Sequence, residues 1–549
     1  LNIFVKKLHQ ADARRLANVV YAVASAPDDG IKQQWVLLVQ QQLIPGFIDK
    51  LSTASPQGIA NVIWGVATVG QKLPAEQLQQ LLAGFIGKCG TAKPQEIANM
   101  IWAVATMGQQ LPAEQLQQLL AAFIGKLDTA TPQGIANVIW GVATMGQQLQ
   151  ADQLQQLLSG FIGMLGIATP QGIANVIWGV ATMRQQLHSD QLQQLLAGFL
   201  GTLSTATPQG IANVLWAVST MGEQLPTKQS KQLSGAFAAK LPSASPQDVA
   251  MTMSGVARLQ PQPFFPAPLL EAKSKQAIIR MVPTMIPVDL ANIAWACGTW
   301  GYGDEQLLLP LFNKGREDLL ALKGRSSREV GASVQGLANM CWAAAVLNMQ
   351  QLVSHVEQFA AAISSRWEHV VAEGKWQLYQ AHMWLQGSNS RGLLDCLSEQ
   401  QLQECKEQWH KGIIEVAASA RTSSTHQAVL KAAAHLPGLK QPPQLEEPTD
   451  DRLHSVDVLV VIKGGVRVAI EVDGPQHFRQ PDLQPTGTTQ WRNRSLAARG
   501  YVVVSVPYWE WDRLPAAKRV GYLEGKIQQG FAGASGGVVP GAGAAASAS

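Results

Sequence analysis

The dipeptide Pro-Gln recurs at positions 56, 94, 132, 170, 208 and 246, a constant step of 38 residues. Trp64, Trp102, Trp140, Trp178 and Trp216 keep the same step. A fixed period of this size restricts the chain to stacked supersecondary units, because no single unit buries its own apolar face. One copy reads PQGIANVIWGVATMGQQLQADQLQQLLSGFIGMLGIAT, residues 132–169.

Each unit reads as two helices. Ser or Thr stands before the proline in five of the six copies, as in Thr131-Pro132. That is an N-cap followed by proline at the first helical position, where its missing N–H is no loss. Ile135, Ile139 and Val142 recur at helical spacing and mark a buried face. Gly146 can end this helix. A second helix is expected from near Asp152 to Ile162, with an apolar stripe of Leu154, Leu157, Leu158, Phe161 and Ile162. The pattern A-N-x-x-(W/Y) extends the array through Asn18/Tyr21, Asn292/Trp295 and Asn339/Trp342, while the copy at 246 has lost it. KWQLYQAHMWLQ, residues 375–386, also reads as helix.

A unit of this length carrying P-x-x-(I/L)-A-N-x-x-W-A-x-A resembles the octotricopeptide repeat, over roughly residues 1–440 and most closely over 56–245. The resemblance implies an α-solenoid of helix-turn-helix repeats of the kind that binds organelle RNA in green algae. The expected organisation is a degenerate leading repeat at 1–55, regular repeats at 56–256 and divergent helical repeats at 257–440. A Pro-rich linker at 441–454, an α/β module at 455–530 and a disordered Gly/Ala/Ser tail at 531–549 follow.

Gln133, Asn137 and Thr144 share one stripe of the first helix, at i, i+4 and i+11. Stacking turns this into a ladder of Asn61, Asn99, Asn137, Asn175 and Asn213 beside Gln57, Gln95, Gln133, Gln171 and Gln209. Two readings stay open. The ladder faces single-stranded RNA, one nucleotide per repeat, or each asparagine bonds the backbone of a neighbouring helix. The tryptophans likewise stack on bases or belong to the core. Charge argues against a strong phosphate grip. Residues 56–245 hold Lys72, Lys88, Lys93, Lys126, Arg184, Lys228, Lys231 and Lys240 against Glu76, Glu96, Glu114, Asp128, Asp152, Asp190 and Glu223. Lys88, Lys126 and Lys240 share one register and form a candidate basic edge. The third residue of each copy varies little (Gly58, Glu96, Gly134, Gly172, Gly210, Asp248), which predicts a monotonous target or weak base discrimination.

Composition changes after QPPQLEEPTD, residues 441–450. VDVLVVI (456–462) and VRVAIEVDG (466–474) alternate as strands around Lys463-Gly464-Gly465. Placing their apolar residues on one face requires Ile462 to pair with Val466, which sets Asp457 against Glu471 with Asp473 nearby. A helix at 489–500, a strand at 501–506 and the aromatic run PYWEW follow.

Val456-Asp457, AIEVDGPQHF, Leu496 and GYVVVSVPYWEW together resemble a RAP domain, over about 455–515. The resemblance implies an RNA-binding module with a restriction-endonuclease-like fold. Nucleases of that fold use Asp, then (Asp/Glu)-x-Lys, around Mg²⁺. Asp457 and Glu471 match, but the lysine position holds Asp473. Arg492 or Arg494 could stand in for the lysine's charge but stays protonated, and His477 offers a base. Asp457, Glu471, Asp473 and His477 are therefore the candidate catalytic set. The three carboxylates are the candidate Mg²⁺ ligands if the module cuts, with no cofactor otherwise. Arg492 and Arg494 are candidate RNA contacts.

Five scattered cysteines with no C-x-x-C pair point to a reducing compartment. No run of about 18 uncharged apolar residues occurs. The chain starts at Leu1, not Met, so it reads as a fragment or processed product, and any targeting peptide would lie upstream. The expected function is an RNA-binding factor for the stability, processing, splicing or translation of an organelle transcript, in the chloroplast or, alternatively, the mitochondrion. The rivals are a metal-dependent RNA endonuclease and an armadillo-like scaffold that clamps extended peptides.

Overall fold

Each of the six Pro-Gln dipeptides opens a helix in the computed structural model, which describes residues 11–26, 39–319, 327–387, 391–420 and 423–535. The chain divides into two units, Leu1–Glu223 with Gln232–Asp248, and Gln224–Lys231 with Val249–Ser549.

In the first unit the leading helices run Pro56–Thr68, Pro94–Thr106, Pro132–Thr144, Pro170–Thr182 and Pro208–Thr220. Thr131 Oγ1 accepts the Gly134 N–H at 3.2 Å, and Ser55, Thr169 and Thr207 cap their helices the same way. Lys93 has no such hydroxyl. There Glu96 reaches back and accepts the Lys93 N–H at 2.9 Å, the other half of a capping box. Gly146 leaves its helix at φ +67°, while the fourth copy puts Arg184 in that left-handed position at φ +54°.

Second helices such as Ala151–Ile162 bury Leu154, Leu157, Leu158 and Phe161. The first helices pack side by side through small residues. A Cβ on Gly141 would meet Ile101 Cγ2 at 2.9 Å and its carbonyl oxygen at 3.2 Å. The equivalent residues of two other copies are Ala103 and Ala217. Polar staples join successive pairs. Gln109, Gln147 and Gln185 donate to the carbonyls of Leu73, Leu111 and Leu149 at 2.6–2.7 Å. Lys126 Nζ donates to the carbonyls of Cys89 (2.8 Å) and Ala92, and Lys88 and Lys240 do the same to the turns before them. The expected basic edge is thus a row of backbone caps, because a cation lowers its energy beside carbonyls left open by a helical turn.

The leading segment contributes helix Ala13–Ser25, whose Tyr21 stacks on Trp64 at 5.1 Å. Residues 1–10 and 27–38 of that expected repeat lie outside the described residues.

In the second unit, helices Pro287–Trp300, Ser327–Val346, Ala372–Gln386 and Glu399–Ala420 pack in succession. The chain then forms α1 (Ser424–Ala433), β1 (Gln444–Pro448), β2 (Ser455–Val461), β3 (Arg467–Asp473), α2 (Gly487–Ala498), β4 (Val502–Pro507) and α3 (Arg519–Ser535). The sheet order is β1-β2-β3-β4. β1–β2 and β2–β3 are antiparallel, and β3–β4 is parallel, so α2 is the crossover that a parallel pair requires. Val458 pairs with Ile470 and Val460 with Val468, the expected hairpin register. Gly464 and Gly465 turn it at φ +91° and +78°, values that favour glycine.

One sheet face packs Val458, Val468, Ile470 and Val504 on Val429 of α1 and Leu523 of α3. The other packs Leu459 and Ala469 on Leu496 of α2. Two boundaries differ from expectation. The expected linker at 441–454 contains β1, and α1, expected among the helical repeats, belongs to the sheet's core. QLEEP is short and ends in proline, which suits an edge strand and leaves no alternating apolar signal. Helix α3 also continues to Ser535, past the expected tail boundary, and the rest of that tail, 536–549, lies outside the described residues. Among the described residues no helix is long and apolar enough to cross a membrane.

Candidate functional site

The flanking β1–β2 pairs, Leu445 with Val458 and Glu447 with Val456, set Glu446 opposite Asp457. The β2–β3 register sets Asp457 opposite Glu471, and Glu471 pairs with Ser505. One rung of the sheet therefore carries three carboxylates and a hydroxyl across four strands. Like charges set directly opposite one another destabilise a sheet. The rung stands because other groups engage it.

Arg492, on α2, supplies the main engagement. Its Nε lies 3.1 Å from Glu471 Oε2 and its Nη2 2.7 Å from Asp473 Oδ1. Ser505 Oγ donates to the other Asp473 oxygen. Asp457 Oδ2 accepts the Val472 N–H at 2.7 Å and lies 3.5 Å from His426 Nε2. Glu446 Oε2 accepts from Ser455 Oγ at 2.8 Å. His477 Nδ1 sits 3.2 Å from Thr489 Oγ1 and 3.7 Å from Asp473.

These contacts split the carboxyls. Burial pushes Glu471 well above the ordinary range; Arg492 opposes this and Asp457 reinforces it. Burial acts in the same direction on Asp457, but the His426 hydrogen bond and the Arg492 charge hold it below its ordinary value. Burial lowers His426, yet its hydrogen bond to Asp457 and that residue's charge raise it overall. Burial and the nearby Arg492 charge depress His477.

The rung opens into a cavity of about 570 Å³ whose walls include Trp376, Trp409, His426, Asp457, Glu471 and Arg492. Trp376 and Trp409 stand 5.2 Å apart. The structure thus brings Asp457, Glu471, Asp473 and His477 together, but around a guanidinium. Glu471 and Asp473 already share Arg492, so Mg²⁺ among the three carboxylates would have to displace it. The residues present do not fit that ion in that place.

Arg494 differs from expectation. Its Nη2 donates to the Val346 carbonyl at 2.6 Å, capping the C-terminus of helix Ser327–Val346. Both candidate RNA-binding arginines are engaged within the fold: two residues apart on α2, they point to opposite faces, Arg492 to the acids of β3 and Arg494 to the end of helix Ser327–Val346. His426 and Glu446 are the residues that sequence reading missed. The acidic pair in QLEEP was the one available signal, and its cross-strand partner depends on β1 pairing.

In the first unit the predicted glutamines Gln57, Gln95, Gln133, Gln171 and Gln209 are exposed. Asn61, Asn99 and Asn175 are half-buried, and Asn137 and Asn213 are buried. Gln95 and Gln133 donate to Asn99 and Asn137 at 2.8 Å, within one helix. The five tryptophans are half-buried, and the rings of Trp102 and Trp140, and of Trp178 and Trp216, lie 6.5 Å apart.

Comparison with known proteins gives two family matches. Residues 470–526 match the RAP domain, and residues 48–190 match the Tbc2 translation factor, N-terminal domain. A RAP domain-containing protein, chloroplastic, from Oryza sativa subsp. japonica is 36% identical over 61 residues, 11% of this chain and 9% of that protein. Among solved structures, a homology model of the full-length AP-3 complex in an intermediate open conformation aligns with TM-score 0.30 at 9% identity, over 78% of this chain and 80% of that one. A circular tandem repeat protein with novel repeat topology and enhanced subunit contact surfaces aligns with TM-score 0.18 at 11% identity, over 74% of this chain and 96% of that one. The small four-stranded sheet region at the C-terminus of this chain carries a RAP domain.

Proposed function

We propose that the chain is an RNA-binding factor acting on an organelle transcript. It holds single-stranded RNA along the stripe of exposed glutamines and half-buried asparagines and tryptophans on its first helices, with the RAP domain adding contacts. The observation that carries this reading is the combination of a RAP domain, a module generally associated with RNA-binding proteins, with a row of half-exposed tryptophans on tandem helices. Stacking on aromatic rings grips bases without sequence readout, which suits near-identical copies. The similarity of 48–190 to a translation factor's N-terminal domain favours translation among the possible steps, and the rice relative's name favours the chloroplast. The order α1-β1-β2-β3-α2-β4 supports a restriction-endonuclease-like scaffold, here a grip because Asp473 replaces the lysine and Arg492 fills its place.

The test is equilibrium binding of the full chain to labelled single-stranded RNA across a salt series. Three lysines of the array cap carbonyls, so few cations remain for phosphate. The five that remain in residues 56–245 set the expected slope of log K against log salt from the array as no steeper than about −3.5, at about 0.7 per neutralised phosphate of a single strand. Trp140→Ala with Trp178→Ala should weaken binding by about tenfold or more, since stacking contributes roughly 1–3 kcal/mol per base. No binding, or binding indifferent to the tryptophans, overturns the reading. The same scarcity of free cations favours one rival, a scaffold that clamps extended peptides. Displacement of a bound peptide by RNA, or its failure, separates the two.

A further inference from the structure

Glu446 adopts φ +51° inside a strand. A non-glycine residue in this left-handed region is strained, and such strain persists where surrounding structure enforces it, often at functional sites. Here it accompanies a side chain that is 3% exposed and close to Asp457 and His426. One donor atom from each of His426, Glu446 and Asp457 lies within 4.8 Å of the others. Three separate elements, α1, β1 and β2, converge to place them.

We propose that His426, Glu446 and Asp457 form a site for a divalent transition-metal ion at the floor of the cavity. A second observation points the same way. Glu471 is 1% exposed and lines the same cavity, and its Oε1 accepts no hydrogen bond among the described residues. A buried carboxylate oxygen left bare is costly unless a cation or donor meets it. The rung and Asp473 bring four carboxyls together, and of these Glu471 and Asp473 are the two that Arg492 contacts directly. One imidazole and two or three carboxylates form a mixed N/O donor set. That set suits Mn²⁺ or Zn²⁺ better than Mg²⁺, which prefers all-oxygen surroundings and retains its waters. The site shares Asp457 with the Asp457–Glu471–Asp473 set that sequence spacing suggests, but it brings in His426 and Glu446 and leaves Asp473 to Arg492. It makes no use of the RNA-binding reading.

The test uses the full chain, stripped with chelator and dialysed. Calorimetric titration with Zn²⁺ and loss of the free Mn²⁺ electron-spin signal should each report one saturable site, with Mg²⁺ binding far more weakly. His426→Ala and the near-isosteric Glu446→Gln should each weaken Zn²⁺ by at least about tenfold, in the range that loss of metal-site partners produces. His435→Ala, an exposed histidine of the same region, should leave it unchanged. Circular dichroism checks the fold, and Glu446→Gln decides the matter if His426→Ala does not fold. No saturable binding by the stripped chain, or binding unaltered in Glu446→Gln, overturns the proposal. Because no RNA is present, failure here is separable from failure of the RNA reading.

Discussion

Arg492 shows how much one side chain can decide. It is the cation that lets two buried carboxyls, Glu471 and Asp473, stand two residues apart on one face at the end of β3. Removing it leaves that charge uncompensated, and breaking a buried pair from one side typically costs about 3–5 kcal/mol. Arg492→Met should lower the unfolding free energy by that order in urea melts; a loss under about 1 kcal/mol would show that the carboxyls find other partners. His454 sets a pH dependence. It is buried, with its Nε2 2.8 Å from Ser495 Oγ, and burial, helped by Arg499, depresses it to about 3 from an ordinary 6.5. The folded state keeps it neutral while the unfolded chain protonates it. Stability is therefore full above the ordinary value and is lost as pH falls through 6.5 toward 3. The slope for this one group reaches at most about 1.4 kcal/mol per pH unit. His454→Gln, which can still bond Ser495, should flatten the curve of stability against pH between about 6.5 and 4. An unchanged curve would assign the acid sensitivity elsewhere.

At the level of elements, the helix pairs were legible from local signals alone. Proline at the first helical position, a hydroxyl before it and glycine after the last turn each act within a few residues, so they survive translation from sequence to structure. The lysine row was not legible. Lys126 looks solvent-facing by spacing, yet its ammonium bonds carbonyls 34 and 37 residues earlier, in the preceding pair. Lys126→Met, which keeps the stem and resembles the natural Met164, should lower stability by about 1–2 kcal/mol, within the usual range for hydrogen bonds to a charged group on a partly exposed side chain. It should leave RNA affinity and its salt slope unchanged. A drop in affinity without a drop in melting temperature would return Lys126 to the phosphate-binding role. Strand β1 was likewise hidden. QLEEP has no apolar alternation, and its strand character comes from pairing with β2.

Across the whole molecule, the sequence by itself determined the tandem helix pairs, the hairpin register and the gathering of Asp457, Glu471 and Asp473. All three follow from period and alternation, which are properties of neighbours along the chain. The scarcity of free cations was also visible in composition, though its reinforcement by carbonyl-capping lysines was not. Only the tertiary structure decided what the acids face. Arg492 enters from a helix about twenty residues beyond β3, His426 from a helix preceding the sheet, and Glu446 from an edge strand that the sequence presents as a linker. A site is a set of distances between distant residues, and such distances are fixed by packing and cross-strand pairing, which local sequence patterns do not encode.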